Sequence, residues 1–130
     1  MIPVSQIKNV LANKNMPREI SFKGLIRHQS GKTEWIYYGI SSKPSIFEFI
    51  SPDLQYTGQK DSNDEKIYED DYISWKNKKG ITKRYQVRFN EDYAGYAIER
   101  NLVDDGENHM EWFYCDIACR SNIVGNFHQK

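Results

Sequence analysis

The fold is decided by the stretch Leu54-Gln-Tyr-Thr-Gly-Gln-Lys-Asp-Ser-Asn-Asp-Glu-Lys-Ile-Tyr-Glu-Asp-Asp-Tyr-Ile-Ser-Trp75. Its apolar residues Leu54, Tyr56 and Ile67 lie on either side of a segment, 60–66, that contains only polar residues. Within that segment, Asn63-Asp64 suits the positive-φ positions of a tight hairpin turn. The stretch therefore predicts two antiparallel strands joined by a polar turn.

The second half of this stretch carries a run of acids, Glu69-Asp70-Asp71, between β-forming residues. We expect the run to bend the chain. A calcium loop over 61–71 is excluded, because Lys66 stands where the sharp turn needs Gly and Tyr72 where the bidentate Glu belongs. The acids are therefore predicted to form a solvated turn.

Composition limits the class of protein. At 130 residues with a formal net charge of +0, the chain suits one domain that no bulk charge draws toward nucleic acid or membrane. Its aromatic content of 14%, with nine Tyr, favours sheets. We find neither an apolar run of the roughly 20 residues that a membrane-spanning helix needs nor a signal peptide. Two cysteines are too few for a disulfide framework. We expect a soluble cytoplasmic protein.

Residues 1–15 form the one segment with a convincing helical pattern. Val4, Ile7, Val10 and Leu11 recur at helical spacing, and Ser5 suits the N-cap. The apolar stripe must pack on this domain's sheet or on a partner, and we favour the sheet because short helices depend on packing.

From Arg18 onward the hydrophobic period changes to two. Ile20, Phe22 and Leu25 are predicted to face one way, with Glu19, Ser21 and Lys23 facing the other. Further strands are predicted at 34–40, 46–50, 81–89, 93–99, 111–117 and 122–127. Short strands with turns every few residues favour an all-β fold, a small barrel or sandwich with one short N-terminal helix.

Three blocks of sequence share the pattern of one known protein family. The first is Arg18-Glu-Ile-Ser-Phe-Lys-Gly24 with Gly31-Lys-Thr-Glu-Trp-Ile-Tyr37, similar to the family's Arg-Glu-Ile-Lys-Phe-Arg and Gly-Glu-Trp-Val-Tyr. The second is Gln55-Tyr-Thr-Gly-Gln-Lys-Asp61 with Ile67-Tyr-Glu-Asp-Asp-Tyr-Ile73, similar to Tyr-Thr-Gly-Leu-Lys-Asp and Ile-Tyr-Glu-Gly-Asp-Ile-Val. The third is Ile123-Val-Gly-Asn126, similar to Val-Ile-Gly-Asn. The middle block is the specific one. Through these three blocks the chain resembles the YopX family of prophage-encoded proteins.

The sequence departs from the family pattern at two turn positions, where Asp64 and Asp70 replace Gly. Asp tolerates left-handed geometry better than most residues, so both turns remain feasible. Family members commonly begin near Met16, so we expect an N-terminal helical extension, 1–15, before a YopX-like β domain, 16–130. The resemblance implies a mainly β fold and a phage or prophage origin, and it supplies no established reaction, cofactor or catalytic residue.

Four residues have zinc-binding side chains: Cys115, Cys119, His109 and His128. Their spacing falls within the loose range of zinc sites. If Cys115 lies mid-strand, however, Cys119 is about 13 Å further along, too far to share one ion. A turn at Ala118 would bring them together. We expect no metal site but two reduced, partly buried thiols.

A basic segment follows the central hairpin, with no acid between Tyr72 and Asn90. Its basic residues are Lys76, Lys78, Lys79, Lys83, Arg84 and Arg88. With Trp75 as a stacking residue, this set suits a nucleic-acid interface. The alternatives are a solubilising lysine-rich hairpin tip, or a basic hairpin that pairs with the acidic turn of another subunit.

The sequence contains no Gly-rich phosphate loop, nucleophile elbow or paired zinc-binding His motif. We therefore expect a non-enzymatic prophage accessory protein without a cofactor, acting as a binding module in the cytoplasm of the bacterial host. A homo-oligomer built through sheet edges or complementary charges is one version of this prediction, and no membrane partner is expected. The alternative is a nucleic-acid-binding protein that uses the basic hairpin 76–88.

Overall fold

Antiparallel strands are the main regular structure in the described part of the chain. The structure is a computed structural model that describes residues 19–76, 79–92, 94–100, 109–113 and 115–129. The predicted helix at 1–15 lies outside these residues. Within them, the strands form two antiparallel sheets, and the all-β prediction is confirmed.

The first sheet contains four strands in the order β2-β1-β3-β4. They are β1 (Ser21–Arg27), β2 (Thr33–Gly39), β3 (Leu54–Lys60) and β4 (Lys66–Tyr68). The second sheet contains five strands in the order β8-β7-β6-β5-β9. They are β5 (Asp71–Lys76), β6 (Thr82–Asn90), β7 (Gly95–Arg100), β8 (His109–Trp112) and β9 (Asn122–Asn126). One helical turn, α1 (Cys115–Ala118), joins β8 to β9.

The central hairpin forms as predicted, with β3 antiparallel to β4. Asp64 adopts a φ of 63° in the turn between them. Asp70, between β4 and β5, adopts a φ of 65°. Both substitutions for glycine therefore occupy the left-handed region, where Asp costs less than most residues.

The acids around this hairpin are not all solvated, so that prediction is wrong. Asp61 is 6% exposed, and its carboxylate accepts backbone hydrogen bonds from Asn63 and Glu65 at 2.9 Å and from Ile123 at 3.2 Å. Asp71 is 0% exposed. A buried carboxylate needs hydrogen-bond donors that replace water. Asp61 finds these donors in the turn and in β9, and it thereby connects the turn to β9.

The hydrophobic core lies on one face of the five-stranded sheet, with α1 packed against it. Its buried members are Ile67, Ile73, Trp75, Tyr85, Val87, Ile98, Phe113, Ile117 and Ala118. The alternation predicted for 81–89 is confirmed at its centre, where Tyr85 and Val87 are buried. The ends of that segment differ, because Ile81 and Phe89 are 46% and 43% exposed.

The outer face of the first sheet carries a second, smaller aromatic cluster. Phe22, Tyr38 and Phe49 stack there, and a Cβ at Gly24 would lie 2.6 Å from the Phe49 ring. The strand predicted at 46–50 is reduced to one bridge, between Phe49 and Ile26. Glycine at position 24 is therefore required because the Phe49 ring lies directly on β1.

Candidate functional site

The predicted basic interface is divided between the two faces of the β5–β6 hairpin. Trp75 lies opposite Lys83 in the ladder, on the core face. The Trp75 side chain is 8% exposed and packs edge-on against Tyr85, with ring centroids 5.6 Å apart. Trp75 cannot stack on bases from this position, so its predicted role is wrong. Lys83 is half-buried beside it.

The other predicted basic residues lie on the outer face or at the tip. Lys76, Arg84 and Arg88 share the outer face by strand register. The Arg84 guanidinium lies 4.5 Å from the Tyr72 ring centroid, and Arg88 lies 3.6 Å from the Glu99 carboxylate. Lys79 is exposed. Lys78 lies outside the described residues.

Cys115 lies on a helical turn instead of the predicted strand, and Cys119 directly follows that turn. Cys115 begins α1, and its carbonyl accepts a hydrogen bond from the Cys119 amide at 3.0 Å. Both thiols are reduced and exposed, so the predicted burial is wrong. His128 instead lies 2.9 Å from Asp70, and the His109 side chain lies outside the described part. Among the described residues, no three His, Cys, Asp or Glu side chains are grouped to hold a metal.

A different site lies between the two sheets, where aromatic rings surround a buried lysine. We call it the aromatic cleft and define it by Lys23, Trp35, Tyr37, Tyr68 and Asp71. The Lys23 ammonium lies 4.3 Å from the Trp35 ring centroid and 5.0 Å from that of Tyr68. Such distances are typical of cation–π contacts.

The cleft forms because the four-stranded sheet curls. Tyr37 and Tyr68 belong to the two edge strands, β2 and β4, which in a flat sheet would be about 14 Å apart. Their ring centroids are nevertheless 5.7 Å apart. Curling thus brings the long side chains of opposite edges together above β1, where Lys23 is paired directly with Tyr37.

The floor of the cleft is a buried ion pair between the sheets. The Lys23 Nζ donates to Asp71 Oδ1 at 2.6 Å, and Asn126 Nδ2 donates to the same oxygen at 2.9 Å. Asp71 Oδ2 accepts the Tyr68 amide at 2.8 Å. Burial raises the pKa of Asp71, while Lys23, Asn126 and the Tyr68 amide counteract that rise. Both oxygens are held by protein donors, as a buried carboxylate requires.

The mouth of the cleft is open and carries a carboxylate. Glu65 and Lys66 line it together with Tyr37 and Tyr68, in a depression of about 360 Å³. The same four residues also line a cavity of about 180 Å³ that reaches Lys23 and Asp71. Tyr37 is 61% exposed. Partial desolvation of its hydroxyl, followed by the neighbouring Tyr68 and the charges of Asp71 and Glu65, raises the pKa of Tyr37. Burial also raises the pKa of Tyr68.

Neighbouring charges at the mouth are paired. Lys66 Nζ lies 2.7 Å from the Glu19 carboxylate and 5.3 Å from the Tyr56 ring centroid. Trp35 Nε1 donates to Gln129 Oε1 at 2.9 Å, which closes the far wall. The cleft therefore offers ring faces and one carboxylate to a molecule outside it, a combination suited to recognition.

The sequence interpretation missed this cleft because it placed Lys23 on the face opposite Leu25, together with Glu19 and Ser21. In the structure Lys23 is buried, 6% exposed, as is Leu25, whereas Ile20 is 46% exposed. Strict alternation would have placed Lys23 correctly, because Lys23 and Leu25 are two residues apart and therefore share a face of the strand. Grouping Leu25 with Ile20 and Phe22 broke that parity.

Within the described residues, no helix has the length and apolar character needed to cross a membrane. The family model described as YopX protein matches residues 11–130. No curated protein sequence matches the chain. Because the family match extends over nearly the whole chain, the protein belongs to the YopX family.

Proposed function

We propose that this YopX protein is a non-enzymatic prophage accessory protein that acts as a binding module in the cytoplasm of the bacterial host. Its contact surface is the aromatic cleft, and it needs no cofactor. The observation that carries the proposal is the exposed aromatic mouth above a fixed, charge-paired floor. Tyrosine at such a mouth supplies large contact area at a low cost in conformational entropy.

The state of the buried acid supports binding over catalysis. A general base must reach a proton on a substrate within hydrogen-bond distance. Asp71 instead uses both oxygens on Lys23, Asn126 and the Tyr68 amide. Its carboxylate therefore serves to hold the two sheets together beneath the mouth.

The test is partner capture with variants of the cleft. The full chain is immobilised, exposed to extract of the bacterial host, and any protein retained is identified, purified and titrated against the wild type. We expect an identified partner to lose at least about tenfold in affinity for a Tyr37→Ala, Glu65→Gln double variant, a loss of about 1.4 kcal/mol. The Phe89→Ala variant removes a similarly exposed ring from the other sheet and should bind normally. A partner that binds both variants equally would overturn the assignment of the site.

Nucleic-acid binding by the hairpin 76–88 is a second candidate. The observation in its favour is that Lys76, Arg84 and Arg88 share the outer face of β5 and β6. Phosphate contacts make affinity fall steeply with salt. Fluorescence anisotropy with single-stranded and duplex DNA tests it: salt-sensitive binding that weakens in Lys79→Glu, Arg84→Glu supports this candidate, and no binding at low salt removes it.

A further inference from the structure

We infer that the mouth of the aromatic cleft binds a cationic side chain, the guanidinium of arginine or the ammonium of lysine, presented by a protein partner. This inference rests on the proposed function and names the chemical group that the cleft would recognise.

Among the described residues, the charges at the mouth leave one negative group without a counter-ion. Lys23 is paired with Asp71, and Lys66 is paired with Glu19. Among the described residues, the Glu65 carboxylate makes no ion pair or side-chain hydrogen bond, although it lines the mouth beside Tyr37 and Tyr68. An incoming cation would therefore complete the charge pattern, whereas a phosphate or carboxylate would face Glu65 directly.

The cleft already holds an ammonium group of its own chain by ring contacts. Lys23 is held by Trp35 and Tyr68, and beside the mouth Lys66 lies over Tyr56. The exposed Tyr37 ring lies at the mouth beside Glu65 and is more than half accessible. A guanidinium stacked on Tyr37 and paired with Glu65 would use the same kind of contact as Lys23 inside the cleft and Lys66 beside it. Arginine suits this better than lysine, because its planar group stacks on rings and pairs with a carboxylate at once.

The partner is a protein segment and not a nucleic acid for the same electrostatic reason. Each nucleotide brings a phosphate, and stacking of its base on Tyr37 would bring that charge near Glu65. A basic peptide brings the complementary charge. A peptide that binds through one side chain has a weak affinity. A whole partner would bind more tightly, because it makes further contacts around the mouth.

The experiment compares two small probes of equal shape and different charge. N-acetyl-L-arginine methylamide and the corresponding citrulline derivative are titrated into the isotopically labelled full chain, and backbone amide shifts are followed by NMR. We expect the arginine probe to shift amides around Tyr37 and Glu65, and the neutral citrulline probe to bind several-fold more weakly. Glu65→Gln and Tyr37→Leu should each weaken arginine binding about two- to fivefold.

Matched controls separate the mouth from the general surface. Glu91→Gln removes an exposed acid at the β6–β7 turn, and Phe89→Leu removes an exposed ring, and neither should change arginine binding. Equal binding of arginine and citrulline, absence of shifts at the mouth, or tighter binding of a nucleotide there would overturn the inference. If a host partner still depends on the cleft while the arginine probe fails, the cationic ligand is wrong and the binding function stands.

Discussion

Lys23 and Asp71 are both buried away from water. Each can remain charged because the other places the opposite charge beside it. Breaking a buried pair by removing one partner leaves an uncompensated charge and costs about 3–5 kcal/mol. We expect Lys23→Met to lower the free energy of unfolding by about that amount. The double variant Lys23→Met, Asp71→Asn should recover part of the loss, because no lone charge remains. Urea unfolding measures both.

The control for this prediction is an exposed pair of the same types. Lys43 lies 2.7 Å from Asp53, with side chains 43% and 49% exposed. Lys43→Met should cost less than about 1 kcal/mol, because solvent screens such pairs. Similar losses for Lys23→Met and Lys43→Met would contradict a buried, coupled pair.

Lys23 also marks the limit of what single residues reveal in the sequence. Lysine is rarely buried without a partner, so the usual trend places the side chain of residue 23 in solvent. Its counter-ion, Asp71, is 48 residues away and belongs to the other sheet. Strand parity could have placed Lys23 beside Leu25, but no local pattern names the acid that makes burial tolerable.

At the scale of the elements, the two aspartates at positive φ should respond differently to glycine. Asp64→Gly removes backbone strain and only a weak, exposed contact with Lys60 at 3.7 Å. We expect it to stabilise the protein by about 0.5 kcal/mol, since glycine's extra unfolded-state entropy offsets part of the relief. Asp70→Gly relieves the same strain but removes hydrogen bonds to Gln86 and His128. We expect a net loss of about 1 kcal/mol.

Denaturant midpoints at constant m-value measure both changes. If both variants gain or both lose stability equally, the side chain of Asp70 does not hold the β4–β5 turn. This pair also explains why the family pattern places glycine at both positions: the backbone geometry is the shared requirement, and here Asp70 adds side-chain contacts to it.

The elements that the sequence predicted well are those with one buried face. The alternation in the central hairpin and at the centre of β6 survives because each strand has a core side and an outer side. The prediction of a strand over 111–117 is wrong, because the buried residues in this region do not all have the parity of one strand face. Phe113, Ile117 and Ala118 are all buried, and adjacent residues of one strand point to opposite faces. The helical turn α1 lets Ile117 and Ala118 both face the core.

At the scale of the whole molecule, the cleft depends on curvature that no segment encodes alone. Each of its rings lies in a correctly predicted strand, yet their convergence requires the edges of the first sheet to approach. Sheet twist arises from the backbone sterics of every strand and accumulates across the sheet, so no single segment specifies how closely the edges approach. Sequence patterns therefore predicted the aromatic strands but not the site that they form together.

Tyrosine ionisation links this packing to the behaviour of the protein at alkaline pH. Burial is the largest cause that raises the pKa of Tyr37, Tyr38 and Tyr68, and the hydrogen bond from Tyr38 to Asp53 adds to it. The folded state thus holds these protons more tightly than the unfolded chain, whose tyrosines ionise near pH 10. Their stabilisation is complete below about pH 10 and is lost as the pH rises above it.

We expect some of the nine tyrosines to ionise only as the fold is lost. Phenolate absorbance and circular dichroism, followed together against pH, measure this. Tyr38→Phe should reduce the late-titrating absorbance. Ionisation of all tyrosines near pH 10 with an unchanged dichroism spectrum would contradict the raised pKa values of Tyr37, Tyr38 and Tyr68.

The exposed edge of β2 argues for self-association of the whole protein. Its pairing with β1 runs without interruption from Thr33 to Gly39, and within the described residues no strand pairs with its other side. Such an edge offers unpaired backbone groups to a second copy. Ile40, 74% exposed at the end of this strand, would lie beside that contact.

We expect light scattering to reveal concentration-dependent dimers that Ile40→Lys weakens by placing a charge at the edge. Val124→Lys adds the same charge at a position that is 55% exposed on the other sheet, and it should leave the dimer intact. A monomer at every concentration, or equal effects of both lysines, would count against pairing through β2.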